Sequence, residues 1–209
     1  MRNWCCQLCL LITAAFHANA QAQPLTWVDL RDARLVPQQT DSTCGAASAA
    51  TILKYFYSAD VSEARLSELM GRSPDETKST TYSFADIERA VNVLNFKAAG
   101  LELTYAQLNN LRVPAIAHLV IDGREHFAVI AGSDEHRVRL ADPASGNSML
   151  YREQFLNYWS RNNGGNTGRV LVIVPFDKDS VRIDPTFFGM ENVRLPMLRG
   201  PLAASRASR

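Results

Sequence analysis

The chain is 209 residues long, 46% hydrophobic and 21% charged. That composition supplies a core and excludes long disorder and collagen-like repeats, and the length fits one domain with appendages better than two full domains. With 22 Lys and Arg against 21 Asp and Glu there is no strong basic field, which argues against a nucleic-acid partner.

Arg2 precedes an apolar run through Leu8, Leu10, Leu11, Ile12 and Phe16, followed by Ala18-Asn19-Ala20 and Ala20-Gln21-Ala22. A basic end, a short apolar stretch and an A-x-A site predict a secretory signal peptide over residues 1–22. The stretch is shorter than the ~18–20 apolar residues that span a bilayer, and no cysteine stands at the cleavage point to carry a lipid. Removing it takes away Cys5, Cys6, Cys9, Arg2 and His17, leaving basic and acidic side chains equal in number. Cys44 then remains as a lone thiol, with His118, His126 and His136. The predicted location is the periplasm. In such an oxidising compartment a lone thiol is either buried and inert or present for its reactivity.

Residues 23–43 read as an extended arm with Pro24 and Pro37. A helix is predicted from Cys44 to about Tyr57, with Asp41, Ser42 and Thr43 as candidate caps and Ala46, Ala49, Ala50, Leu53 and Phe56 at helical spacing. A second covers Val61 to Met70, capped near Asp60. A third runs from Ser83 to Leu94 on a stripe of Phe84, Ile87, Ala90, Val91 and Leu94. Beyond Leu101 the texture changes. Ala115 to Ile121, His126 to Ala131 and Arg137 to Ala141 read as strands. Glu153 to Trp159 reads as a short helix, Asn162 to Gly168 as a loop, and Val170 to Val174 as a last strand. Helices first and an antiparallel sheet afterwards predict an α+β domain over residues 23–176. Residues 177–209 show little periodicity and are predicted to be a mobile tail.

Cys44 begins a predicted helix, where unpaired N–H groups and the positive end of the helix dipole favour a thiolate. The alternative is a small residue buried on an Ala-rich helix. A thiolate needs a base, and the base needs an orienting partner. A hairpin over 126–142 centred on Asp134 would set His126 opposite Asp142, Ala128 opposite Leu140 and Ile130 opposite Val138. Directly opposed residues have Cβ atoms about 4.5–5.5 Å apart, within reach of a carboxylate–imidazole bond. His118 lies inside an apolar strand and reads as a satisfied core histidine. His136 falls at the hairpin tip and reads as solvated. Gln38 and Gln39 are candidate amide donors to an oxyanion, beside the N–H of Cys44. No metal-ligand spacing and no phosphate-cradling glycine loop occur, so neither metal nor cofactor is expected.

Three segments in this order are Gln38-x5-Cys44-Gly45-Ala46-Ala47, His126-Phe127-Ala128-Val129-Ile130 and Leu140-Ala141-Asp142-Pro143-Ala144-Ser145-Gly146. With Pro114-Ala115-Ile116-Ala117-His118-Leu119 they resemble cysteine peptidase family 39, the bacteriocin-processing or double-glycine leader peptidases of papain-like fold. The resemblance spans roughly Leu35 to Val174. It implies that Cys44 is the nucleophile, His126 the base, Asp142 the orienting acid and Gln38 the oxyanion donor. Many members are N-terminal domains of ABC exporters and work in the cytoplasm. This chain, with its predicted signal peptide, looks instead like a stand-alone periplasmic branch tied to functional-amyloid secretion. Its implied partners are an exported polypeptide and an outer-membrane secretion system. The competing readings are a peptidoglycan peptidase and a non-catalytic chaperone for an export signal. The retained Cys44 speaks against the chaperone.

Overall fold

The structure is a computed structural model that describes residues 26–71, 82–159 and 165–190. The predicted signal peptide, the first residues of the predicted arm and the end of the predicted tail lie outside those residues. The elements form an α+β arrangement with one six-stranded antiparallel sheet. Its strands are β1 (Phe96–Thr104), β2 (Ala115–Ile121), β3 (Arg124–Ser133), β4 (Arg137–Asp142), β5 (Gly146–Tyr151) and β6 (Thr167–Pro175). They lie in the order β1-β6-β2-β3-β4-β5.

Both faces of the sheet are covered. On one, α2 (Cys44–Tyr55), α3 (Glu63–Leu69) and α4 (Phe84–Val93) bury Phe127, Val129 and Ala131 of β3 together with Ile116 of β2. On the other, α5 (Tyr105–Asn109) and α6 (Arg152–Trp159) bury Ala128 and Ile130 with Ala115, Ala117 and Leu119. This is the two-residue alternation of a strand, with apolar residues on both sides because both sides are packed.

Helix α2 is buried all round, from Cys44 through Leu53. Its alanines let the sheet and the neighbouring helices close on the backbone. Its buried hydroxyls are satisfied: Ser48 Oγ donates to the Phe127 carbonyl at 3.2 Å and Thr51 Oγ1 to the Ala47 carbonyl at 2.8 Å. Helix α3 is capped by Ser62, not near Asp60, because the Ser62 hydroxyl accepts the Arg65 N–H. Helix α4 starts on a Ser83–Asp86 capping box.

Helices α1 (Trp27–Asp32) and α5 and strands β1 and β5 were not expected. The arm contains α1, begun by a Thr26–Asp29 capping box. Its far end is held by the distant Asn147, whose amide donates to the carbonyls of Leu30, Arg31 and Ala33 at 3.3, 3.0 and 2.7 Å. Strand β1 is an edge strand with most residues exposed, so it carries no apolar alternation. Strand β5 is buried at five successive positions and has none either.

Beyond Phe176 the chain returns to the helical layer: Val181 and Phe188 pack against it, and Phe187 is 2% exposed beside Tyr55 and Phe56. One buried apolar anchor in a largely polar segment leaves no period to read.

Candidate active site

Cys44 opens α2 and is 1% exposed. Thr43, the residue before the helix, makes no side-chain cap. Its hydroxyl is turned back into the preceding loop, donating to the Thr40 carbonyl at 3.0 Å and accepting the Thr40 N–H at 3.1 Å. Among the described residues the first amides of α2 therefore have no capping side-chain oxygen, and the positive end of the helix faces the Cys44 position. Gly45 keeps the helix close to its neighbours. A Cβ there would lie 3.2 Å from both Ile87 Cδ1 and Phe127 Cδ2.

His126 lies on β3 and Asp142 ends β4, and both are buried, at 2% and 0% exposure. The imidazole Nε2 and Asp142 Oδ1 are 2.9 Å apart. With Nε2 engaged, Nδ1 is the ring nitrogen left for Cys44. Burial by itself would push the His126 pKa down. The bond to Asp142, the bond to Cys44 and the negative charge of both carry it up to about 10. The pair thus favours the protonated ring.

The register that joins His126 to Asp142 differs from the expected one by two residues. Ile130 pairs with Leu140, not Val138, and Val129 pairs with Ala141. Extending that register puts Asp142 opposite Ala128, two residues along β3 from His126. Such positions are about 7–8 Å apart, within reach of long side chains. That offset depends on a bulge. Beyond Ala131 the pairing runs Gly132 with Arg139 and Ser133 with Val138. Continued without the extra residue, that register would set Asp142 opposite Val129, one residue farther from His126.

Asp142 is held by the turn that follows it. Oδ1 also accepts the Ala144 N–H at 2.8 Å, and Oδ2 accepts the Ser145 hydroxyl at 2.8 Å. Gly146 takes φ 95°, closing the turn into β5. Ser145 was not singled out as a site residue. The signal for it is local: an Asp followed at the third position by Ser, as in an Asx-type turn.

The loop before Cys44 is tied at both ends. The Gln38 N–H donates to the Pro143 carbonyl at 3.1 Å, beside the Asp142 turn. The Gln38 side-chain Oε1 is buried and without a hydrogen-bond partner among the described residues, whereas Gln39 is exposed. The Gln39 N–H instead donates to Glu63 Oε1 at 2.9 Å. Glu63 is buried at the start of α3. Burial pushes its carboxyl up, opposed by its bonds with Thr43 and Gln39.

His118 and His136 stand apart from this cluster. His118 is half-buried, with Nε2 at 3.2 Å from Glu125 Oε1 and Nδ1 at 3.4 Å from an Arg169 guanidinium nitrogen. His136 is exposed at the hairpin tip. The structure thus brings together Cys44, His126 and Asp142, with the Gln38 backbone tied to the Asp142 turn.

A buried acid–imidazole pair beside a cysteine at a helix start, on helices packed against an antiparallel sheet, defines a papain-like cysteine peptidase. The chain belongs to the peptidase C39 family, which it matches over residues 32–163. It is 31% identical over 159 residues to the "Probable functional amyloid protease FapD" of Pseudomonas fluorescens, covering 74% of this chain and 67% of that one. The Pseudomonas aeruginosa protein of the same name is 34% identical over 132 residues, covering 62% of this chain and 58% of that one. Among solved structures, the peptidase domain of Streptococcus ComA, a bi-functional ABC transporter involved in quorum sensing, superposes with a TM-score of 0.56 at 25% identity. That match covers 68% of this chain and 97% of that domain.

Proposed function

We propose that this cysteine peptidase is a periplasmic endopeptidase that processes an exported polypeptide through Cys44, His126 and Asp142, with Gln38 as an oxyanion donor. The observation that carries the reading is the 2.9 Å His126–Asp142 bond set beside Cys44 at the uncapped start of α2. His126 takes the Cys44 proton and keeps it as an imidazolium, whose charge Asp142 offsets without being protonated itself. The thiolate attacks the scissile carbonyl carbon. The oxygen turns negative against the Cys44 N–H and the Gln38 amide. As the C–N bond breaks, the imidazolium protonates the leaving amine. A water molecule, deprotonated by His126, then hydrolyses the thioester and frees Cys44.

The basic, apolar and A-x-A parts of residues 1–22 support the periplasmic location. The similarity to functional amyloid proteases and to an exporter's peptidase domain supports an exported amyloid subunit or double-glycine leader as substrate. An outer-membrane secretion system is the further partner in this reading. Mass spectrometry of polypeptides secreted by cells carrying wild-type or Cys44→Ala protein tests it. Cys44→Ala replaces one small residue by another and should stay folded, so an uncleaved precursor should accumulate. Identical secreted species from both cells, with soluble Cys44→Ala protein present, refute the reading.

A further inference from the structure

The bulge at Ala131 is gripped by the segment that follows the sheet, and that segment lies outside the family match, which covers residues 32–163. The Ala131 carbonyl accepts the Gly189 N–H at 2.8 Å and an Arg139 guanidinium nitrogen at 2.6 Å. The same Arg139 nitrogen donates to the Phe187 carbonyl. Among the described residues Arg139 has no carboxylate partner, and its Nε is buried without a hydrogen-bond partner. Burial, and then the nearby Arg34, push its pKa down to about 10. Holding a cation there against burial and a second cation is unfavourable, so its two carbonyl bonds must offset that.

The segment is fastened elsewhere as well. Phe187 fills a core position, Asp184 pairs with Arg34 at 2.7 Å, and the Asp184 N–H donates to the Phe56 carbonyl at 2.8 Å. Gly132, next to the bulge, has no side chain because the strap passes over it. A Cβ there would lie 2.5 Å from the Gly189 carbonyl oxygen.

We propose that residues 177–189 form a strap that locks the Ala131 bulge, and that Arg139 is a positioning residue which through that bulge keeps Asp142 in register with His126. The inference rests on the catalytic reading of His126 and Asp142. A bulge released by one residue moves Asp142 one residue farther along β3 from His126, so the strap acts on chemistry from outside the site.

Three variants test it: two in the full-length chain, Arg139→Met, which keeps the stem and removes the donors, and Gly132→Ala, which pushes the strap away with one methyl; and a truncation by a stop after Phe176. The readouts are circular dichroism, kcat and KM on a double-glycine peptide, and the NMR titration of the His126 ring, assigned with His126→Asn. In each variant that folds, the His126 titration should move down by at least one pH unit and kcat should fall at least tenfold with KM within threefold. Arg139→Lys should recover part of both. The NMR titration needs no substrate, so it still decides the strap if the wild type cleaves no such peptide. Folded Arg139→Met and Gly132→Ala with wild-type His126 titration overturn the proposal. So does a loss of activity that only follows the unfolded fraction.

Discussion

Replacing Asp142 by Asn removes one charge from the site while leaving its geometry nearly intact. The Asn carbonyl oxygen can still accept from His126 and from the Ala144 N–H, and the amide can donate to Ser145 after its hydroxyl rotates. The perturbation is therefore electrostatic. His126 is carried from the ordinary 6.5 to about 10 against burial, by Asp142 and Cys44 together. That rise corresponds to roughly 5 kcal/mol in favour of the imidazolium. An opposite charge at this distance supplies about 1–3 pK units, so Asp142→Asn should lower the His126 pKa by that amount. The assay is the pH dependence of Cys44 alkylation by iodoacetamide and of kcat/KM on a cleaved peptide. The alkaline limb of both should move down together. Stability follows the same linkage. The folded pKa lies above the unfolded one, so the contribution is complete below pH 6.5 and is lost as pH rises through about 10. Urea unfolding should show wild-type stability falling across that window, and Asp142→Asn falling less. An unmoved alkaline limb in folded Asp142→Asn refutes the argument that this carboxylate keeps the proton on His126.

Gln38→Ala should slow acylation by about 10²–10³, as expected for a lost oxyanion donor, while iodoacetamide labelling of Cys44, which forms no oxyanion, stays near wild type. Gln39→Ala should match wild type, because its side chain is exposed and its bond to Glu63 is made by the backbone. Single-turnover cleavage by both variants separates them, and a slow Gln39→Ala moves the donor one residue along. Ser145→Ala leaves the buried Asp142 Oδ2 without its hydroxyl partner. It should destabilise by about 1–3 kcal/mol and lower kcat more than it changes KM, and an unchanged kcat removes Ser145 from the support of the pair. Gly168→Ala drives a Cβ to 2.4 Å from the Trp159 ring. That overpacking should cost about 1–3 kcal/mol of stability by thermal denaturation with kcat unaltered in the folded fraction.

Local signals in the sequence were enough for α2, α4 and the strands β2, β3, β4 and β6. Each has either helical spacing with a cap or a compact apolar run, and both arise within a few neighbouring residues. They also placed Cys44 at a helix start and put His126 and Asp142 on adjacent strands. The family resemblance, carried by motifs of the same local kind, supplied the peptidase class. Other features were decided by contacts between residues far apart in the chain. Helix α1 ends on the amide of Asn147. Strand β5 is covered on both faces, and β1 is defined only by pairing with β6. Phe187 is a single anchor with no period around it. The strand register is the clearest case. A one-residue bulge shifts every later pairing by one, and it adds only an ordinary alanine to the sequence. Whether Asp142 meets His126 therefore rests on Ala131, on Arg139 and on a strap that reaches them from residues 184–189.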